Sequence, residues 1–391
     1  MKQQKTNNWQ IKKLGEVCKI IMGQSPPSDT YNENAKGMPF FQGKAEFTDL
    51  YPVVKKYCSK PTKIAEPLDI LLSVRAPVGT TNIANIQCCI GRGLAAIRFD
   101  NYKYGFYFLR SIQHELDSKG TGTTFRAISG ETIRETLIPY PNQETQHAIV
   151  SKIEELFSEL DKGIAELKTA QLQLKTYRQS VLKSAFEGKL TNENVKNGEL
   201  PDGWERKTFN DVIDISKEKY KPNNSESKFY VGLEHIEKNL GVLTAECGFE
   251  NIKTIKNKFN VGEILYGKLR PYLNKVYLAK ENGVCSTDIL VLKTKKNCNA
   301  QFLTHLMLGV DFVNTMSENT SGVNLPRVST KFILEYPINL PPIEEQNRIV
   351  QEIESRLSVA DKMEQSIQES LQKAEALRQS ILKKAFCGEL V

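Results

Sequence analysis

No stretch of this 391-residue chain approaches the ~20 consecutive apolar residues that crossing a bilayer requires. The opening residues, MKQQKTNNWQ, lack an apolar core behind the lysines; this excludes a secretory signal there and makes the cytoplasm the expected compartment. Cysteine occurs eight times, at 18, 58, 88, 89, 247, 285, 298 and 387, and never as a CxxC pair. The four histidines, His114, His147, His235 and His305, are scattered, and there is no HExxH. A zinc site would show close ligand pairs, so the thiols read as buried or incidental in a reducing compartment. What remains is 25% charged and 40% hydrophobic residues, the profile of a soluble folded protein with room for two to four domains of about 100–200 residues.

Motifs that carry chemistry are equally scarce. Gly262–Leu269, GEILYGKL, fits GxxxxGK but ends in leucine where a phosphate loop needs Ser or Thr for magnesium, and its interior reads as a strand. Pro201 and Asp202, followed by Glu226, Ser227 and Lys228, imitate a nuclease pattern from polar, turn-like stretches where such triplets arise by chance. There is no GxGxxG fingerprint and no N/D-PP-Y/F motif of the amino-methyltransferases. The chain therefore reads as non-catalytic.

What the sequence does contain is a repeat with a period of 200 residues. PNQETQHAIVSKIEELFSELDK, from Pro141, aligns without a gap to PPIEEQNRIVQEIESRLSVADK, from Pro341. RQSVLKSAFEGKL, from Arg178, aligns to RQSILKKAFCGEL, from Arg378. In both copies apolar residues recur at steps of four and three: Val150, Ile153, Phe157, Leu160, Ile164 and Leu167, against Val350, Ile353, Leu357 and Ala360. That 3.5-residue spacing predicts a coiled-coil helix, with prolines before it and Gly188 or Gly388 where it stops. Some 40 residues at 1.5 Å each make a rod of roughly 60 Å. Gln171, Arg178 and Arg378 break the apolar seam; such residues either fix register or face a partner helix or solvent, and partner contact is the favoured reading.

The segments ahead of each helix repeat more loosely. WQIKKLGEVCKI (from Trp9) pairs with WERKTFNDVIDI (Trp204), LDILLSVRAPVG (Leu68) with GEILYGKLRPYL (Gly262), and GTGTTFRAIS (Gly120) with TSGVNLPRVS (Thr320). They mix β-type runs at Ile70–Val74, Ala95–Phe99 and Ile289–Leu292 with a helical piece at Tyr104–Leu116, which predicts an α+β fold. The expected plan is domain (1–142), helix (143–190), polar linker (191–203), domain (204–341), helix (342–391). Charge follows the same division. Lys/Arg and Asp/Glu stand at seven each in 142–191 and at seven to nine in 341–391, so the rest of the chain carries +9 of a +7 total, where a polyanion would bind.

The duplicated P-x-x-E-x-Q-x-x-I-V approach, the matched helix exits and the two variable domains ending in IPYPNQETQ and INLPPIEEQ resemble the specificity subunit of type I restriction–modification enzymes. GQSPPSDTYN (from Gly23), TGTTFR and TSGVNLPR add a looser likeness within the domains. The resemblance implies two pseudo-symmetric α/β target recognition domains separated by a pair of long antiparallel coiled-coil helices. Each domain would read one half of a split site in double-stranded DNA, and the helices would set the unread spacer. It also implies two methyltransferase subunits that hold S-adenosylmethionine and methylate adenine N6, and often restriction subunits; no cofactor and no membrane are expected for this chain.

Candidate readers follow from residue type in polar loops after strands and near the glycine motifs. They are Gln42, Lys44, Arg75, Arg92, Thr123, Thr124 and Arg126 in the first domain, and Lys268, Arg270, Tyr272, Ser321, Asn324 and Arg327 in the second. Arginine makes bidentate contacts with guanine, Asn or Gln with adenine, and lysine mostly grips phosphate. Tyr31, Phe40 and Phe41 read as core. Two other classes stay open: a scaffold that joins protein-binding domains, and a self-contained DNA enzyme, which the absent motifs disfavour.

Overall fold

A computed structural model describes residues 9–122, 126–192, 195, 199–222 and 227–391. The chain divides into one unit of residues 1–167 and 369–391 and a second of residues 168–368. Both are built to one plan.

In the first unit, strand Gln10–Lys13 pairs antiparallel with Leu137–Tyr140, joining the unit's beginning to the approach of the long helix. A four-stranded antiparallel sheet follows in the order Lys19–Met22, Leu94–Arg98, Ile70–Ser73, Thr81–Ile83. Side chains alternate across a strand, and both faces of this sheet are apolar. Ile70, Leu72, Ala95 and Ile97 pack toward helix Tyr102–Ser111 and the long helices. Leu71, Leu94 and Ala96 pack against Phe41, Ala65, Cys88 and Ile90 of a second, five-stranded sheet. There Met38–Phe41 runs parallel to Cys88–Ile90. Phe40 and Phe41 are buried, and Tyr31 packs on Phe40 with ring centroids 4.7 Å apart. The helical piece expected as one element is two, Tyr102–Ser111 and Gln113–Ser118, interrupted at Ile112.

The second unit repeats this. Ile213–Ile215, Ile289–Thr294, Ile264–Gly267 and Val276–Leu278 form the four-stranded sheet in the same order. Ile264, Tyr266, Leu290 and Leu292 join the helices, while Leu265, Ile289 and Val291 face the five-stranded sheet. Gly262–Leu269 thus contributes a buried strand. The five-stranded sheets share four equivalent strands and differ in the fifth. Tyr31–Asn32 adds beside Tyr57–Cys58 in the first unit, whereas Lys219–Tyr220 adds at the other edge, beside Lys256–Phe259, in the second.

The long helices run unbroken over Gln143–Phe186 and Ile343–Phe386. Their repeated lead-in has a structural reason. Gln146 is buried and its Nε2 donates to Pro141 O at 3.0 Å; Gln346 is buried too and donates to Pro341 O at 2.8 Å. Each glutamine thereby satisfies a carbonyl that the turn from strand to helix would strand. At the far ends Gly188 and Gly388 adopt φ of +78° and +74°, a left-handed stop that glycine adopts without a Cβ penalty.

Each unit holds the start of one long helix against the end of the other, antiparallel. In the first unit Ile149, Ile153 and Phe157 share a core with Ile381, Ala385 and Phe386. In the second, Ile349, Val350 and Ile353 share one with Val181, Leu182 and Ala185. Of the polar seam residues, Arg178 and Arg378 occupy equivalent contacts. Arg178 bonds Asp361 at 2.6 Å and Glu364 at 3.0 Å, and Arg378 bonds Asp161 while stacking over Phe157. They face the opposing helix of their own chain.

Candidate nucleic-acid interface

Backbone bonds in the first unit lay four distant segments side by side. Gly91 N–H donates to Phe41 O (2.8 Å), Val74 N–H to Gly93 O (2.9 Å), Ile128 N–H to Val74 O (3.0 Å) and Ala76 N–H to Arg126 O (2.9 Å). The approach at Gly93 is so close that a Cβ there would lie 2.2 Å from Gln42 O, so only glycine fits. The resulting ledge carries Gln42, Lys44, Arg75, Arg92 and Arg126, all exposed. Arg126 Nη1 bonds Asp117 Oδ2 at 3.3 Å, whereas Lys44, Arg75 and Arg92 have no carboxylate partner among the described residues. Thr123 and Thr124 lie outside the described residues.

The second unit builds the same ledge with the same bonds. Val328 N–H donates to Lys268 O (3.1 Å) and Arg270 N–H to Pro326 O (2.7 Å), while Ser321 pairs with Arg327 in a short hairpin. Lys268, Arg270, Ser321 and Arg327 are thus brought onto neighbouring strands, with Asn324 exposed on the hairpin tip. Arg270 is exposed and sits at φ +52°, a left-handed conformation uncommon for a side-chain-bearing residue. Arg327 is held by Asp288 through Nε–Oδ1 (3.1 Å) and Nη2–Oδ2 (3.3 Å), and this bonding raises the guanidinium pKa. Tyr272 is not part of the ledge. It lines a groove of about 660 Å³ with Leu172, Leu240 and His305, because Pro271–Leu273 turns away from the strand as a 3₁₀ helix.

Three residues of the ledges escaped residue-type reasoning. Ser25 Oγ accepts the Arg92 N–H at 3.2 Å, and its signal was the Gly23 motif that contains it. Asp117 and Asp288 hold arginines from 9 and 39 residues away and carry no local pattern. Glu226, part of the nuclease-like triplet, lies outside the described residues. Among the described residues no group of three or more His, Cys, Asp or Glu could hold a metal ion, and no helix is long and apolar enough to cross a membrane. Burial pushes the thiols of Cys18, Cys88, Cys285 and Cys298 up to about 12, so they are protonated at neutral pH.

Two ledges of cations and amides, built alike in two units and half to fully exposed, suit recognition of a polyanion. The comparisons with known proteins point the same way. A family model described as the type I restriction modification DNA specificity domain matches residues 6–169 and 201–373. The EcoDI specificity subunit of Escherichia coli is 30% identical over 309 residues, covering 73% of this chain and 69% of that protein. The EcoBI specificity subunit of the same organism is 25% identical over 434 residues, covering 98% and 86%. A putative type I restriction enzyme MjaX specificity subunit from Methanocaldococcus jannaschii is 39% identical over 189 residues; there the chain spans only 44% of the relative's length. A chain from a study of complex assembly and conformational transition in a type I R-M system superposes with a TM-score of 0.76 at 20% identity, covering 99% of this chain and 100% of the other. The HsdS subunit from Thermoanaerobacter tengcongensis gives 0.60 at 20% identity, covering 98% and 97%. These two likenesses establish the fold, and with the family match over both halves they lead to one conclusion: the chain belongs to the type I restriction–modification DNA specificity family, whose members recognise DNA and leave catalysis to other subunits.

Proposed function

We propose that each ledge reads one half of a bipartite site in double-stranded DNA on behalf of a type I restriction–modification complex. The observation that carries this reading is the repeated ledge itself, where the same backbone bonds gather basic and amide side chains from segments far apart in sequence. In the major groove all four base pairs present distinct donor and acceptor patterns, and exposed guanidinium and amide groups are the side chains that match them bidentately. Arg75, Arg92, Gln42 and Lys44 would serve one half-site. Arg270, Arg327, Asn324, Ser321 and Lys268 would serve the other, the lysines mainly gripping phosphate.

The two long helices would set the length of the unread spacer and dock two methyltransferase subunits. S-adenosylmethionine and adenine N6 methylation would belong to those subunits, and restriction subunits would join the complex to translocate and cut. The chain itself would need no cofactor.

The test is a long-read methylation map of cells with and without this chain, the partner methyltransferase being present in both. A split adenine motif that appears only with the chain supports the proposal and gives both half-sites. No motif, with the methyltransferase active alongside another specificity subunit, would overturn it in favour of a scaffold that joins protein-binding domains.

A further inference from the structure

The hairpin between Thr320–Ser321 and Arg327–Val328 ends in an unusual side chain. Val323 is 99% exposed, and the next most exposed large apolar residue among the described residues is Phe249, at 71%. A single exposed valine is ordinary on a surface; this one is held out on a braced support. Ser321 pairs with Arg327 across the hairpin. Arg270 N–H donates to Pro326 O at 2.7 Å, and the Arg327 guanidinium is fixed on Asp288. Gly322 takes φ +95°, the turn conformation that lifts Val323 to the tip beside exposed Asn324. Valine is branched at Cβ and stiff about χ1, so little side-chain freedom is lost when the tip meets a surface.

We propose that Val323 determines specificity in the second half-site by packing on the 5-methyl group of a thymine. The inference rests on the ledge being the DNA-reading face. A valine side chain neither donates nor accepts a hydrogen bond, and of the four bases only thymine offers an apolar group in the major groove. The cations of the ledge would hold phosphates and base edges on either side, and the methyl–isopropyl contact would exclude water between them.

The experiment uses the intact complex of this chain with its methyltransferase subunits and duplexes carrying the mapped site. Each thymine of the second half-site is replaced in turn by deoxyuridine, which removes the methyl group and nothing else. For the wild-type chain, one replacement should weaken binding about four-fold, the worth of one buried methyl group. In Val323→Ser that sensitivity should vanish, with the other positions unchanged. A wild-type complex that methylates its site but is indifferent to every thymine methyl, or a half-site without thymine, would overturn the proposal and leave DNA reading intact. Sensitivity that persists in Val323→Ser would overturn it too. Failure of Val323→Ser to assemble with the methyltransferase, checked by co-elution, would reassign the tip to a protein contact. A wild-type complex with no site preference at all would overturn both readings.

Discussion

Arg327 reaches the ledge with its guanidinium already engaged by both oxygens of Asp288, which fixes its plane, and Nη1 also donates to Leu325 O at 3.5 Å. Asp288→Ala should release that side chain. Binding of the complex to its site should weaken roughly ten-fold, or about 1.4 kcal/mol, in a fluorescence titration. Thermal stability should change little, because the pair is partly exposed. His305 poses a different residue-scale problem. Both ring nitrogens are buried without a partner among the described residues, and burial lowers the pKa to about 4. The unfolded imidazole titrates near 6.5, so below that pH the unfolded chain takes up the proton first. Stability is therefore full above about pH 6.5 and declines as pH falls toward 4, by up to about 3 kcal/mol. Thermal melts across that range should show the decline in the wild type and a flatter limb in His305→Phe. An equal slope in the two would show that His305 is not the group responsible. Neither effect was legible in the sequence, where Asp288 and His305 match no motif and acquire their roles from neighbours brought in by folding.

At the scale of elements, the long helices were the most legible part of the molecule. A 3.5-residue apolar period sustained from Val150 to Leu167 has few other solutions, and it became one uninterrupted helix from Gln143 to Phe186. The meaning of the glutamine that recurs in the repeat was not legible. Only the fold shows that Gln146 and Gln346 are buried and bonded to the proline carbonyls at the strand-to-helix turn. Shorter helices were harder to bound. Tyr104–Leu116 reads as one apolar-faced segment, yet it breaks at Ile112, where local periodicity gives no warning. Under the proposed function helix length has a direct readout. Inserting four residues into each long helix adds about 6 Å, which should lengthen the unread spacer by about two base pairs at roughly 3.4 Å each. A methylation map of the insertion variant checks this, and an unchanged spacer would show that the helices do not set it.

For the whole molecule, duplication implies modular reading. Arg75 lies on the first ledge, exposed and without a carboxylate partner among the described residues. Under the proposed function Arg75→Ala should cost about 1–3 kcal/mol at the base it would contact and relax that position alone, leaving the other half of the mapped motif unchanged. Altered preference in both halves would mean that the two ledges do not act separately. The copies are similar without being interchangeable. Arg126 and Pro326 occupy equivalent ledge positions, as do Ala127 and Arg327, and the fifth strand of the outer sheet sits at opposite edges. Such differences in one scaffold are what two distinct half-sites would require.

The sequence by itself determined the repeat, the two long helices, the α+β character of the domains and the family, because each is written in local periodicity or in residue identity at a fixed offset. Tertiary structure decided which candidates share a surface. Arg75, Arg92, Gln42 and Arg126 meet because backbone bonds join segments tens of residues apart, and Tyr272 leaves them because a 3₁₀ turn carries it into a groove. Long-range hydrogen bonding between loops has no period and no composition, so the ledges could be assembled only by the fold.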